Sequence, residues 1–298
     1  MEESHPFVVI GLGEVEWDVV AGKRQLGGPP ANVVFHAQAL GARGVLASSV
    51  GQDRPGEELL EAMSDMGLAI GVVHLDSAHP TAEVHVTLDS HGSPGYEVPV
   101  DAAWDYLPFG PECARLARKA EAICFGTLAS RNPHSRDCIR KFLECAMPGS
   151  LRVFDVNLRQ GHYSRDLIQE LLEHTEVLKL NEDELPVVSE LLNLSGSTQQ
   201  RMEALMDRFA LSAIALTRGA RGSVLMTPGQ LEVHHGLRVD VVENTLGASD
   251  AFTAVLIKGL LCEWPLSEIS ERANRLASYV CTLPGAMTLH PHYGLAEH

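Results

Sequence analysis

The 298-residue chain has no apolar run of the roughly 18 residues that a membrane helix needs. Met1 to Phe7 has neither the basic stretch nor the apolar core of a secretory leader, so a cytoplasmic protein is expected. No CxxC pair occurs among Cys113, Cys124, Cys138, Cys145, Cys262 and Cys281. That removes the common zinc and redox spacings, and the apolar or helical contexts of these residues predict buried, reduced thiols. Positive charge is scarce: 23 Lys and Arg against 39 Asp and Glu give a formal net charge of −16. Such a balance argues against nonspecific nucleic-acid or anionic-membrane binding, because both require clustered cations. The histidines at 234–235 and 290–292 have no Cys or acid at ligand spacing and read as surface residues. Internal repeats, low-complexity tracts and long linkers are also lacking.

What the chain does have is apolar material, 45% of its residues, distributed as short runs between helical patterns. Phe7 to Leu12, Val45 to Val50, Ile123 to Gly126, Arg152 to Val156, Val177 to Leu180 and Ala213 to Thr217 resemble strands buried on both faces of a parallel sheet. Between them, "ANVVFHAQALG" ends at Gly41, and "RPGEELLEAMSDMG" has acids in its first turn and Gly67 at its end. The alternation predicts a three-layer α/β fold.

Residues 81–100 depart from this rhythm. Ala82, Val84, Val86 and Leu88 alternate with Glu83, His85, Thr87 and Asp89 before a Ser-His-Gly turn and a second extended run. A hairpin with one polar face does not belong inside a helix-covered parallel sheet. It predicts a small β lid, joined by "EVEWDVV" at 14–20, or in the plainer reading an edge hairpin without a binding role. The lid's apolar face would also suit a homodimer contact.

The stretch "NTLGASDAF", 244–252, opens a strongly patterned helix: Ala251, Val255 and Gly259 recur with Phe252, Leu256 and Leu260. First-turn amides lack intrahelical partners, and the macrodipole adds positive charge, so such an end attracts anions. Asp250 alone could simply stabilise the helix. With Gly247, Ala248 and Ser249 leaving the backbone uncovered, it could instead take a proton from a hydroxyl while a phosphate approaches the amides.

This stretch resembles the C-terminal signature of the PfkB, or ribokinase-like, carbohydrate kinases, D-T-x-G-A-G-D-A/S-F. In the family's order, "QLGGPPANVVFHAQALG" at 25–41 resembles its G-G-x-x-x-N signature through Gly27, Gly28 and Asn32. "VFDVNLR" at 153–159 resembles the D-x-N-x-R strand, "LKLNEDEL" at 178–185 carries N-x-x-E as Asn181 and Glu184, and "ALTRGARGSVL" at 215–225 resembles T-x-G-x-x-G. Five elements in the right order, from residue 13 to about 290, carry far more weight than any one alone.

The resemblance implies a ribokinase-like three-layer sandwich, one domain over 1–298, with a mostly parallel sheet and a small β lid. It implies an ATP- and Mg²⁺-dependent kinase for the primary hydroxyl of a small sugar. Asp250 would be the base, with Gly247, Ala248 and Ser249 as the anion hole. Asp18, Gly27, Gly28, Asn32 and Arg159 would hold the sugar; Asn181, Glu184, Thr217, Gly219 and Gly222 would serve ATP, with Arg218 nearby and Glu184 meeting Mg²⁺ through water. Each element also has a structural reading: a turn before a helix at 27–32, a surface ion pair for Arg159, an acidic helix start in "NEDEL", and a tight hairpin turn in "TRGARG". Two positions depart from the family. Asn244 replaces the Asp of a monovalent-cation position, which bears on potassium, and Ser249 replaces a Gly whose positive φ a Ser would adopt only with strain.

The sequence looks closest to the fructokinase branch, which makes fructose the expected substrate. 2-Keto-3-deoxygluconate is the alternative, its carboxylate met by Arg131 or Arg159, and a non-catalytic sugar or nucleotide binder of the same fold is a third. "GLGEVE" at 11–16 starts like a dinucleotide fingerprint, but its third glycine position is Glu16.

Overall fold

The computed structural model describes residues 6–70, 72–88 and 94–288. The Ser-His-Gly turn and the 290–292 histidines lie outside the described residues. The chain runs β1 (Val8–Leu12), β2 (Glu16–Val20), β3 (Lys23–Gly27), α1 (Pro29–Ala39), β4 (Arg43–Gly51), α2 (Arg54–Asp65), β5 (Val73–Asp76), β6 (Glu83–Leu88) and β7 (Pro94–Glu97). It continues with α3 (Pro111–Ala117), β8 (Ala122–Gly126), α4 (Pro133–Glu144), β9 (Leu151–Asp155), α5 (Arg165–Glu173), β10 (Val177–Asn181), α6 (Glu184–Leu191) and α7 (Thr198–Phe209). The last part holds β11 (Ala213–Thr217), β12 (Ser223–Thr227), β13 (Gln230–His234), α8 (Ala248–Leu261) and α9 (Leu266–Val280).

Nine strands form the main sheet in the order β13-β12-β11-β10-β9-β8-β1-β4-β5, parallel from β11 to β5 with an antiparallel edge at β12 and β13. Along each buried strand, successive side chains enter opposite cores. In β8, Ala122 and Cys124 face one side and Ile123 and Phe125 the other; in β11, Ala213 and Ala215 oppose Ile214 and Leu216. Helices α1, α2, α8 and α9 cover the first face, and α4 to α7 cover the second. The small strand residues on the first face let α1 and α8 approach closely, which is how the start of α8 reaches the strand ends.

A second sheet, β3-β2-β6-β7, stands over the carboxyl ends of the main strands. β2 pairs parallel with β6, joining the two segments expected to form a lid, whereas β3 was not anticipated as a strand. The lid face expected to suit a dimer contact is taken up within the chain. Ala82, Val84 and Val86 are 2%, 0% and 5% exposed and pack into this chain's own core, so that apolar face is already covered. The thiols also differ from expectation: Cys124 and Cys138 are buried, Cys262 is exposed, and the remaining three are intermediate. The dinucleotide fingerprint fails because Glu16 opens a strand rather than a helix.

Candidate active site

The strand order reverses at β1, which lies between β8 and β4, and open α/β sheets bind ligands outside the strand ends at such a reversal. The chain leaving β1 carries Glu14, that leaving β8 carries Leu128, and that leaving β9 carries Asn157 and Arg159. All four line one cavity of about 40 Å³ with Asp18, Asn32, Tyr96, Gly247 and Asp250.

Helix α8 brings Asp250 there. Gly247 precedes the helix at φ 77°, where an added Cβ would meet Ala286 at 2.6 Å. The first intrahelical bond runs from the Ala251 amide to the Gly247 carbonyl, so the amides of Ala248, Ser249 and Asp250 precede the ladder. Asn32 Nδ2 donates to Asp250 Oδ2 at 2.7 Å, joining the starts of α1 and α8. Gly28, at φ 99°, caps α1 where a Cβ would come within 2.6 Å of the Glu14 carbonyl, and Gly27 packs directly on the Asp18 carboxylate.

Burial and the neighbouring Asp155 push the Asp250 pKa up to about 6, against the opposing pull of Lys179, Asn32 and Arg159. Burial, followed by Asp250, raises Asp18 to about 7, and burial raises Glu14 to about 7. Glu16 is lifted well above the carboxylate range by burial, Asp18 and Glu14. Arg159 is half-buried rather than in a surface ion pair: its guanidinium stacks 4.3 Å from the Tyr96 ring centre. Asn157 sits at φ 41°, an uncommon backbone state of the kind found at functional sites, with its side-chain nitrogen buried and unpartnered.

On the other side of the α8 start lies a cavity of about 800 Å³, lined by Asn181, Thr217, Gly219, Gly222, Ala248 and Ser249 among others. Apart from Gly27 and Glu184, which line neither, the residues expected at the two ligands divide between two spaces separated by one helix N-terminus. Three expectations need adjustment. Arg218 is committed elsewhere, donating to the His234 carbonyl at 2.9 Å. His234 is not a bare surface histidine, since its Nε2 lies 3.0 Å from Glu271. Ser249 carries no strain, because it lies inside α8 and is absent from the positive-φ positions. Its hydroxyl instead contacts Lys179 Nζ.

Glu184 and Asn181 act as braces. The two Glu184 oxygens accept from the Leu158 amide at 2.9 Å and the Asn181 amide at 2.8 Å, and Asn181 Oδ1 accepts from the Asp183 and Glu184 amides. Among the described residues no group of three acids, histidines or cysteines is arranged to hold a metal. With both Glu184 oxygens engaged by backbone amides, its reach to an ATP-bound Mg²⁺ would run through water. At position 244, Asn244 Nδ2 donates to the Leu283 carbonyl at 2.6 Å and its Oδ1 accepts from the Leu246 amide at 2.9 Å.

Four residues near these spaces were not singled out from sequence: Glu14, Glu16, Tyr96 and Lys179. The acids left a signal, since Glu14, Glu16 and Asp18 alternate and period-2 alternation puts side chains on one strand face. Lys179 left less. It is 1% exposed inside an apolar strand, 2.9 Å from Asp155, whose second oxygen accepts from Thr253 at 2.9 Å.

A doubly wound sheet with an acid-lined pocket and a large cavity meeting at a helix N-terminus is the architecture of a phosphoryl-transferring α/β enzyme. Residues 6–292 match the pfkB family of carbohydrate kinases, and the chain belongs to that family; it is a carbohydrate kinase. It is 28% identical to the fructokinase of Escherichia coli, covering 89% of this chain and 88% of that one. It is 26% identical to the ATP-dependent 6-phosphofructokinase of Thermoanaerobacterium thermosaccharolyticum, covering 89% and 81%. The fructokinase of Vibrio cholerae O395, solved with fructose, ADP and calcium, superposes with a TM-score of 0.79 over 95% of both chains at 23% identity.

Proposed function

We propose that the protein transfers the γ-phosphoryl group of ATP to a primary hydroxyl of a fructose-like sugar. One observation carries this reading: the start of α8 presents Gly247 and Asp250 to the acid-lined pocket and Ala248 and Ser249 to the larger cavity. A sugar hydroxyl and a terminal phosphate approaching from the two sides would meet at that point. Phosphoryl transfer requires alignment and charge stabilisation more than covalent help. Asp250 takes the hydroxyl proton as the oxygen attacks, and the amides of Gly247, Ala248 and Ser249 receive the charge of the moving group. Asn32 fixes the orientation of the Asp250 carboxylate. ATP enters as its magnesium complex; the buried Glu184 and Asn181 shape the loops beside the phosphates.

The 40 Å³ pocket has room for a few waters rather than a hexose, so the small sheet must swing outward to admit the sugar. On closing again, it excludes water as a competing acceptor. We read the small sheet as the lid of a single kinase domain. The sugar-acid alternative fits less well. Arg131 is held by two hydrogen bonds to Asp105, at 2.9 and 2.7 Å, and four carboxylates line the space a sugar carboxylate would enter.

ADP release measured with fructose, ribose, 2-keto-3-deoxygluconate and adenosine tests the reading. Turnover on fructose should fall by about 10²–10⁴ in Asp250→Asn, the usual worth of a general base. It should also decline about tenfold per pH unit below about 6, where the base becomes protonated. An Asp250→Asn variant as fast as wild type would remove Asp250 from the chemistry, and silence on every sugar with binding retained would favour the non-catalytic binder.

A further inference from the structure

The wall of the sugar pocket has more unpartnered acceptors than unpartnered donors. Glu14, Glu16 and Asn32 are 1%, 5% and 5% exposed, and each keeps one side-chain oxygen buried without a hydrogen-bond partner. Against these three, a single unpartnered buried donor on the wall, Asn157 Nδ2, is present among the described residues. A sugar hydroxyl can donate to one such oxygen but adds two acceptor lone pairs of its own. An ammonium brings three donors and no acceptor.

Charge points the same way. Glu14, Glu16, Asp18 and Asp250 line the pocket with one cation, Arg159, which lies over Tyr96. Arg131 is close enough to act on Glu14 and Glu16, but its charge is already matched by the bidentate contact with Asp105. The acids form a row. Glu16 and Asp18 are alternate residues of β2 and Glu14 lies two positions before Glu16, so the three follow one another along one wall, while Asp250 enters the pocket from α8. Trp17, between Glu16 and Asp18, points the other way and donates its indole N–H to the Pro55 carbonyl at 2.9 Å. Glu16 therefore faces the pocket by strand alternation and not by a loop's accident.

We propose that the substrate of this kinase is an amine-bearing sugar, with its ammonium held by the buried, unpartnered oxygens of Glu16 and Glu14. The proposal rests on the sugar-kinase reading of the same site. The amine is a spectator in the reaction: the primary hydroxyl oxygen takes the γ-phosphoryl group, its proton passes to Asp250, and ADP leaves. Glu16 is the specificity-determining residue.

The test uses 1-amino-1-deoxy-D-fructose, which keeps the primary hydroxyl at the far end, beside D-fructose and 2-keto-3-deoxygluconate, at pH 7.5. Wild type should favour the amino sugar over fructose by about tenfold in kcat/KM, mostly through KM, as expected for a charge-assisted contact. In Glu16→Gln that ratio should fall to about one, and in Glu16→Leu the sugar acid should gain relative to both. Circular dichroism verifies that the variants fold. Equal use of fructose and the amino sugar by wild type would overturn the proposal, as would a preference that survives Glu16→Gln. If no sugar is phosphorylated, calorimetry with the same three sugars separates the two readings. Binding of the amino sugar that is lost in Glu16→Gln would sink the kinase reading and keep this one. Equal or absent binding would sink both.

Discussion

The two spaces on either side of the α8 start are built from different materials. The sugar side is small and lined by four carboxylates, all raised by burial, with Glu16 and Asp18 raised further by neighbouring pocket acids; the larger side has no carboxylate and is lined by glycines, small polar groups and apolar side chains, with Arg238 and His235. One helix end thus serves two electrostatic tasks. Toward the larger cavity it offers first-turn amides that lie outside the helical ladder, Ala248's making only a 3.4 Å turn contact with the Thr245 carbonyl, and such amides attract a phosphate without a charged side chain. Toward the sugar it offers a base, and a base useful near neutral pH must be desolvated. The acidic side is therefore held in place against its own repulsion, while the other side is intrinsically stable. Lys179 lies at the junction, bonded to Asp155 and touching Ser249.

Removing that junction should break the contrast most severely. Lys179→Met would leave Asp155 buried without its cation, and losing one partner of a buried pair typically costs about 3–5 kcal/mol. For a chain of this size that corresponds to a fall of about 10 °C in Tm. Adding Asp155→Asn should restore much of the loss, because no orphaned charge then remains. If Lys179→Met melts within a degree or two of wild type, the clamp between β9, β10 and α8 is not what holds the helix start.

A smaller effect should appear on the acidic side, with a characteristic pH dependence. Glu14, Glu16 and Asp18 have raised proton affinities in the folded chain, so the native state binds more protons than the unfolded one between about pH 4 and 7. The contributions of Glu14 and Asp18 are fully present below the unfolded pKa near 4 and lost as pH rises through about 7, and that of Glu16 is lost in the same direction. Glu16→Gln should therefore raise Tm by a few degrees at pH 8 and change it little at pH 4.5. Equal shifts at the two pH values, measured by calorimetry, would mean the acids do not share a titrating cluster.

The same contrast governed what could be read from the chain. The larger cavity is written in glycines and turn residues at fixed spacing, such as Thr217, Gly219 and Gly222, and in the run around Gly247, so local motif reading reached it. The alternation of apolar runs with helices also gave the layers, because buried parallel strands need continuous hydrophobicity. Of the pocket's four acids, Asp18 and Asp250 were read from motifs and Glu14 and Glu16 were not. Glu14 and Glu16 sit in the same alternating stretch, but whether a strand face meets solvent or a cavity depends on β6 and β7, far along the chain. Lys179 was hidden for a related reason: its partner Asp155 is 24 positions away in sequence, on the neighbouring strand. The apolar face of 82–88 was misassigned because a pattern states that a face is covered without stating by what.

The subtlest difference concerns a cation at the edge of the α8 start. Asn244 spans two backbone groups, donating to the Leu283 carbonyl and accepting from the Leu246 amide, and making both bonds at once needs the donor of an amide side chain. A carboxylate there would still accept from Leu246 but would face the Leu283 carbonyl with a second acceptor, an opposition that a monovalent cation could relieve. Replacing sodium by potassium should accordingly alter the wild-type rate by less than about twofold, a difference under about 0.4 kcal/mol. Asn244→Asp should be slower in sodium and regain rate in potassium. A wild-type enzyme that needs potassium would place the cation site elsewhere and remove Asn244 from the comparison. A potassium-indifferent Asn244→Asp would mean that the carbonyl at Leu283 moves aside, leaving the helix start insensitive to charge at this edge.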